Sequence, residues 1–446
     1  MAKRQPNRSL AALLTESQFT QGAFARAVNV IGTENGRPTT YSQPSVSQWL
    51  NGTEPEARTQ IAIIEALARR LGRLVTHAEA GFPPPLDQPT GPAGTVDGLI
   101  ELGRQDMDPS RRSVLGASLF AVALTIPGWQ DVLARAESIQ RGRTIRIGMP
   151  EVANVIAMTE ELSSIDDRHG GRAARPMAAS YLVNTVGPYL KAEAPEAVRR
   201  AMMSAASDLC YLTGYMAVDE GLHGLAQRYY VKALELAGIA EDHLTYCTTL
   251  RGMSVQAVDL GHGRRAMQLA DAASAAAPVA GPRMRAFLAG QQAHSAAQIG
   301  DATTAKRLIG EAERAMDRAE SESRAFGSYD PSSLNYHIGQ VRYELGDLAG
   351  AVESLELSDR LRHSGYRRTR VRYGALLAEW QLKAGKTEHA WATWHAVLDD
   401  YPLVQSGRAD DKIRTMLGLL TSHPTNSDAR NLYERARTLV PIHLAA

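Results

Sequence analysis

The chain has 446 residues, more than one ordinary hydrophobic core holds, so two or three domains are expected. Its 44% hydrophobic and 22% charged residues are typical of a folded globular protein and exclude a largely disordered one. The net charge of +1 favours no particular partner, although residues 1–81 carry nine Lys or Arg against six Glu, an excess that suits a surface facing DNA.

The residue types predict an all-α fold. Ala, Leu, Arg and Glu, which favour helices, are abundant, while runs of Val, Ile and Thr are nearly absent. Two cysteines, Cys210 and Cys247, are too few for a disulfide framework and match no metal-ligand spacing. The polar, basic start of the chain lacks the apolar core of a signal peptide. We therefore expect a cytoplasmic protein with no bound metal and no cofactor.

Residues 1–81 are predicted to form an N-terminal domain of short helices. Ser9 and Thr20 are good N-caps for helices that extend to Glu16 and to about Ile31. A polar loop then precedes a short helix that ends at a C-cap signal, Asn51-Gly52. Apolar residues at helical spacing predict a fourth helix over 57–71.

Two segments are predicted between this domain and the rest of the chain. Residues 82–98 are rich in Pro and Gly and indicate a semi-rigid linker. Residues 99–200 are predicted to be a helical connecting region. Within it, Arg111-Arg112 precede an apolar run that ends near Ile126. At ~15 residues this run is shorter than the ~20 that span a bilayer, so it predicts a buried helix, ahead of a membrane-touching helix or an export signal.

Residues 201–446 contain a repeat with steps of 40, 39, 46 and 39 residues. Gly is followed five residues later by Ala at Gly221/Ala226, Gly261/Ala266, Gly300/Ala305, Gly346/Ala351 and Gly385/Ala390, and a degenerate copy adds Ala429. Twelve residues before the first five of these Ala lies a small residue: Gly214, Ser254, Ala293, Gly339 and Ala378. Gly ends a first helix and the small residues let a second helix approach it closely, so the pattern predicts stacked helix pairs. It resembles tetratricopeptide repeats, whose stacked pairs form a superhelix with a concave binding face.

A helix-turn-helix motif lies in the N-terminal domain. The stretch Ser45-Val46-Ser47-Gln48-Trp49-Leu50-Asn51-Gly52, preceded by Thr20-Gln21 and Phe24-Ala25, resembles the Cro/phage-repressor (XRE) class. The resemblance implies a recognition helix in the major groove of double-stranded DNA, with base contacts from Gln43, Ser45 and Gln48. It also implies phosphate contacts from Gln21, Arg37, Ser47, Asn51, Thr53 and Arg58. For each polar residue the alternative is an ordinary solvated helix face, whereas Val46, Trp49 and Leu50 are expected to pack in the core. The loop from Gly32 to Ser42 is longer than the turn of this family, which could re-angle the recognition helix.

Motifs of catalysis are absent from the sequence. A phosphate-binding loop, HExxH, GxSxG and CxxC do not occur, so we expect no enzyme activity. In tetratricopeptide arrays the first helix of each pair lines the concave face, and its polar residues are the candidate ligand groove. These residues are Gln256, Gln291, Gln292, Asn335, Gln340, Arg342, Arg370 and Arg372. The alternative for each is a solvated surface, and the tyrosines of the repeats are expected mostly in the core.

Further stretches extend the resemblance over nearly the whole chain. Asp166-Asp167-Arg168-His169-Gly170-Gly171, Gly214-Tyr215-Met216-Ala217 and Gly224-Leu225-Ala226-Gln227-Arg228-Tyr229-Tyr230 are similar to a group of actinomycete regulators. This resemblance implies a homodimeric transcriptional regulator that binds a pseudo-palindromic operator and senses a peptide, small molecule or protein. The alternative is an interaction scaffold whose helix-turn-helix domain does not bind DNA specifically.

Overall fold

The computed structural model describes residues 5–34, 39–71, 75–83, 94–108, 146–277, 280–319 and 329–439. The apolar run at 111–126 and Arg37 lie outside these residues. The described part of the chain is helical, as the composition predicts, and its β-structure is a single isolated bridge between Arg146 and Glu193. No helix in this part is both long and apolar enough to cross a membrane.

The N-terminal domain contains helices α1 (Arg8–Glu16), α2 (Gln21–Glu34), α3 (Gln43–Leu50) and α4 (Ala57–Leu71). Their apolar faces share one core, in which Phe24, Val46 and Ile63 are fully buried. Trp49 is also buried and Leu50 packs against the same core, so the inward face of α3 is the one predicted. The sequence pattern therefore gives the right helices in this domain.

The end of the long loop between α2 and α3 is fixed by Asn29 of α2. The Asn29 side chain accepts hydrogen bonds from the Thr39 hydroxyl at 2.9 Å and the Tyr41 N–H at 2.8 Å. It also donates to the Tyr41 carbonyl oxygen at 2.8 Å. The Tyr41 ring lies edge-on against Trp49, and its hydroxyl lies 2.9 Å from the Thr59 hydroxyl. Tyr41 therefore anchors α3 to the core of the domain.

The connecting region consists of α5 (Thr95–Met107), α6 (Met149–His169), α7 (Gly171–Tyr181), a π-helical turn (Leu182–Val186) and α8 (Gly187–Leu190). The predicted boundary at residue 200 is wrong, because it falls inside the next helix, α9 (Glu196–Asp219). One hydrophobic core also extends across it, from Leu99 through Leu182 to Tyr229 and Leu288. The connecting region and the first repeats therefore fold as one unit.

Six helix pairs follow, beginning with α9. They are α9 with α10 (His223–Ala240), α11 (His243–Asp259) with α12 (Gly263–Ala275), α13 (Pro282–Gln298) with α14 (Ala302–Met316), α15 (Pro331–Glu344) with α16 (Leu348–Arg360), α17 (Arg367–Lys383) with α18 (Thr387–Asp400), and α19 (Gly407–Leu420) with α20 (Ser427–Leu439).

The repeated small residues take the roles that the sequence predicts. The glycines that follow each first helix have positive φ, from +76° at Gly221 to +87° at Gly346, a conformation that only glycine adopts readily. The five Ala are fully buried where the paired helices meet. At Gly214 a Cβ would lie 2.8 Å from the Tyr230 ring, so a larger residue would separate α9 from α10. The predicted stacking of helix pairs is confirmed.

The stack of helix pairs closes into a ring. The first helices of successive pairs, α9, α11, α13 and α15, lie side by side. The stacked rings of Tyr336 and Tyr373, 4.0 Å apart, join α15 to α17. Helix α17 packs against α6, which in turn packs against α9. Whereas an open superhelix was predicted, six helices (α6, α9, α11, α13, α15 and α17) surround a common centre.

Hydrogen bonds close the ring next to the end of α6. The Gln405 N–H donates to the His169 carbonyl oxygen at 2.6 Å, and the Arg172 N–H donates to the Gln405 carbonyl oxygen at 3.1 Å. Gly170, with φ +91°, lies between them, and a Cβ there would come within 2.4 Å of the Gln405 oxygen. Glycine is therefore required at this junction, because a side chain would collide with the returning backbone.

A central cavity and the helix-turn-helix face as candidate sites

A cavity of about 700 Å³ lies inside the ring. This volume is in the range of sites that bind small organic ligands. The six inward helices line it with side chains spaced three or four residues apart, so that each helix presents one stripe. On α11 the stripe is Arg251, Val255, Val258 and Asp259, and on α13 it is Phe287, Gln291 and His294.

A buried ionic cluster forms one wall of the cavity, where α17 meets α6 and α9. The Arg368 guanidinium lies 2.9 Å from an Asp166 carboxylate oxygen and 3.0 Å from Asp167. It is also 3.6 Å from Asp219 and stands over the Tyr215 ring. The Ser406 hydroxyl and the Gly171 N–H both donate to Asp219. Arg368 thus joins the two ends of the ring through charges that are shielded from water.

The carboxylates of this cluster differ in proton affinity. Burial raises the pKa of Asp166 to about 8, against the opposing effect of Arg368. Burial also acts to raise the pKa of Asp219. This effect is outweighed, and the pKa lies below the ordinary value, because of the charges of Arg368, Arg372 and Arg408 and the hydrogen bond from the Gly171 N–H. Asp219 is therefore held in its ionised form beside Arg368, whereas burial favours the protonated form of Asp166 more strongly. Within the described residues, no three His, Cys, Asp or Glu side chains are arranged to hold a metal ion.

The opposite wall of the cavity carries neutral histidines and aromatic rings. Burial lowers the pKa of His294 to about 4 and that of His337 well below its ordinary value, so neither ring is charged at neutral pH. The His337 Nδ1 lies 2.7 Å from the Tyr329 hydroxyl. Phe287 and Tyr336 add flat apolar surface to the same wall. Such a surface suits a planar or aromatic ligand.

Of the eight residues predicted for a ligand groove, Gln291 and Arg372 line the cavity. The other six do not line it. Gln256 and Gln340 are buried, and Gln256 donates to the His223 carbonyl oxygen. Gln292, Asn335, Arg342 and Arg370 instead donate hydrogen bonds to Asp271, Pro331, Gly350 and Asp400 respectively.

The rotation of each helix about its axis explains why these six residues lie outside the cavity. Gln256 follows the inward residue Val255 and is rotated by about 100° around α11, which turns it to the neighbouring helix. The sequence identifies the first helix of each pair correctly but not which of its faces is turned inward. Arg251, Tyr336 and Arg368 line the cavity although sequence analysis did not single them out as ligand residues. In the sequence, such positions could be found as charged or aromatic residues that recur every three or four positions beside apolar residues.

The base-contact candidates lie at the start of α3. Gln43 and Gln48 are exposed, and Ser45 is half-buried with its hydroxyl accepting a hydrogen bond from the Ser42 N–H at 3.3 Å. That bond closes the first turn of α3. Gln43 and Gln48 are thus free of the core and available for contact, while Ser45 also has a structural role.

The phosphate-contact candidates surround α3 but do not form a basic surface. Among the described ones, Asn51 is exposed and the others are half-buried: Gln21, Ser47, Thr53 and Arg58. Helix α3 itself contains no Lys or Arg, and the exposed Glu54 and Glu56 follow it directly. Since most protein–DNA affinity comes from cations beside phosphates, this face is weakly suited to non-specific DNA binding.

Comparison with known proteins gives a domain match and a distant structural likeness. Residues 10–83 match the family described as the SP15 N-terminal domain, a range that covers α1 to α4. No curated protein sequence matches the chain. A crystal structure of the APC/C hetero-tetramer Cut9–Hcn1 is similar over 93% of this chain and 69% of that one, with 13% identity and a TM-score of 0.34. At that score the assignment of helical repeats rests on the helix pairs themselves.

Proposed function

We propose that this chain is a repeat-based interaction scaffold that takes a partner molecule into the cavity of its repeat ring. The observation that carries the proposal is the common inward direction of six helices, which build one cavity from polar, charged and aromatic side chains. Repeat proteins use their concave face to bind partners, and in this ring that face lines a central cavity. The function is binding without chemical conversion, and the N-terminal domain offers a second surface.

A photo-crosslinking amino acid at the cavity position Val255 tests this function. We expect full-length protein that carries p-benzoylphenylalanine there to acquire an adduct of defined mass in cells, whatever the class of the molecule. Leu244 of the same helix is 47% exposed and does not line the cavity, so the same substitution there is the matched control. Mass spectrometry of both proteins decides the result. The absence of an adduct specific to position 255 would count against the scaffold.

Sequence-specific DNA binding is the second candidate function. It is supported by the exposure of Gln43 and Gln48 on a short capped helix, since glutamine can pair with adenine through two hydrogen bonds. On this hypothesis the protein is a homodimeric regulator whose half-sites lie ~34 Å apart or a multiple of it. A ligand in the repeat ring would then alter the spacing of the two helix-turn-helix domains.

Replacing Gln48 with alanine separates the two candidates. If the protein is a regulator, genomic DNA enrichment with purified full-length chain yields an inverted repeat. The Gln48→Ala change should then cost ~1–3 kcal/mol at one base position, because a base-edge contact is lost. Gln18→Ala is a control in the loop before α2. If no sequence motif is enriched and retention of DNA depends only on salt concentration, the protein would be a scaffold without a sequence-specific DNA function.

A further inference from the structure

Three arginines on the cavity wall form no ion pair in the described structure: Arg251, Arg362 and Arg372. Arg362 donates a hydrogen bond to the Ser358 hydroxyl, and the other two are considered for a ligand. Arg251 of α11 stacks on Phe287, with its guanidinium carbon 3.6 Å from the ring centroid, and its Nε is buried without a hydrogen-bond partner. Arg372 of α17 lies 5.6 Å from the centroid of its neighbour Tyr373. Among the described residues, neither of these two guanidinium groups forms a direct ion pair. Asp219 and Asp259 attract Arg372 and raise its pKa, but neither is bonded to it.

Arg368 and Arg408, which also line the cavity, contrast with these two. Arg368 is paired with Asp166 and Asp167, and Arg408 forms an ion pair with Asp259. Buried charges in folded proteins are normally paired, because withdrawal of an ion from water is costly. An arginine that faces a cavity without such a partner is therefore a position where a ligand can supply the negative charge.

Three further acids on the cavity wall are not bonded to these arginines. Asp330 caps α15 by accepting a hydrogen bond from the Ser333 N–H at 2.7 Å. Asp208 accepts one from the Thr245 hydroxyl at 2.9 Å, and burial raises its pKa to about 7, which weakens it as a counter-ion. Glu160 lies exposed on α6. None of the three forms an ion pair with Arg251 or Arg372 in the described structure.

Aromatic rings adjoin both arginines. Phe287 lies beneath Arg251, and the stacked pair Tyr336–Tyr373 lies beside Arg372. Aromatic side chains in the lining of a cavity suit a ligand with a planar apolar group, while guanidinium groups donate hydrogen bonds to carboxylate or phosphate oxygens. We propose that the cavity binds a small organic anion that carries an aromatic ring and at least one carboxylate or phosphate group, which Arg251 and Arg372 bind. This inference rests on the proposed scaffold function and names the chemical class of its ligand.

Simple aromatic probes test the charge requirement with the full-length protein. We expect phenylacetate and phenyl phosphate to give saturation-transfer NMR signals and to raise Tm, and benzyl alcohol to bind at least tenfold more weakly. Comparison of the two anions shows whether carboxylate or phosphate is preferred. Inorganic phosphate should compete with phenyl phosphate if the anionic group is recognised. Equal binding of the neutral alcohol would overturn the proposal.

Variants locate the site. Arg251→Gln and Arg372→Gln should each weaken binding of the preferred anion at least tenfold, whereas Arg285→Gln, which removes an exposed charge outside the cavity, should leave it unchanged. Because neither arginine forms a direct ion pair, both variants should remain folded without ligand, as circular dichroism would show. Unfolding of both variants, or unchanged binding in both, would indicate structural arginines and overturn the proposal.

Crosslinking at Val255 tests the scaffold function and the chemical class of its ligand separately. An adduct with a neutral molecule or with a protein segment would preserve the scaffold function and overturn the assignment of an organic anion. An adduct with an aromatic acid or phosphate would support both. The absence of any adduct, together with the absence of probe binding, would count against both.

Discussion

Replacing Arg368 with methionine is expected to lower the free energy of unfolding by ~3–5 kcal/mol, since removing one partner of a buried ion pair leaves the other charge uncompensated. Arg368 is fully buried and is shared by Asp166, Asp167 and Asp219. Asp219, whose pKa Arg368 helps to hold below the ordinary value, would lose this cation. Methionine fills much of the same volume, so the loss measures charge more than packing.

Urea unfolding of the full-length chain, followed by circular dichroism, measures this effect. Arg414→Met is the control, because Arg414 forms an exposed i,i+3 ion pair with Asp411 that should contribute at most ~1 kcal/mol. A double variant, Arg368→Met with Asp219→Asn, should recover part of the lost stability by removing the isolated charge. If Arg368→Met cost no more than the control, the cluster would not be what holds the ring closed.

Asp208 is expected to make the protein less stable as pH rises. Burial raises its pKa to about 7 from an ordinary value of 3.8. Below pH 3.8 the group is protonated in both folded and unfolded chains and costs nothing. Between pH 3.8 and 7 the unfolded chain releases a proton that the folded chain retains, so stability falls with pH and then levels off above pH 7. The full loss is at most ~4 kcal/mol.

Asp208→Asn should remove this dependence, because asparagine stays neutral and its oxygen can still accept from Thr245. The stability of the variant relative to wild type should increase between pH 5 and pH 8 by up to ~3 kcal/mol. Taking the difference cancels the contribution of Asp166, whose raised pKa acts in the same direction. Asp317→Asn, at an exposed carboxylate, serves as control. A difference that stays constant or decreases towards pH 8 would contradict the pKa assignment.

The helix pairs could be predicted from the sequence because their determinants are local. Gly221 with Ala226, and each later pair like it, combines a left-handed turn with a small contact residue five positions on. Each feature is a steric requirement of one turn or one helix contact. The residues that meet it therefore lie within a dozen positions of each other in the sequence. In the same way, Val46 and Trp49 indicate the inward face of α3 correctly.

The closure of the ring could not be predicted in this way. Arg368 meets Asp166 and Gln405 meets His169 across more than 200 residues of sequence, and nothing within either segment indicates the other. Residue types alone do not show that these positions are buried, because exposed turns and buried ionic clusters use the same ones. The cavity residues were also partly missed, because the ring rotates each first helix by an amount that only its neighbours determine. For α11 this rotation places Val255 inward and Gln256 against His223.

Closure of the ring also limits how a protein of this architecture can evolve. An open array of repeats gains or loses units readily, since each unit contacts only its neighbours. Here α17 must reach α6, so insertion or deletion of one helix pair would move Arg368 away from Asp166 and Gln405 away from His169 together. Duplication, the usual route by which repeat proteins diversify, is therefore closed to the units between α9 and α17. New specificity has to arise by substitution of single inward side chains within a ring of fixed size.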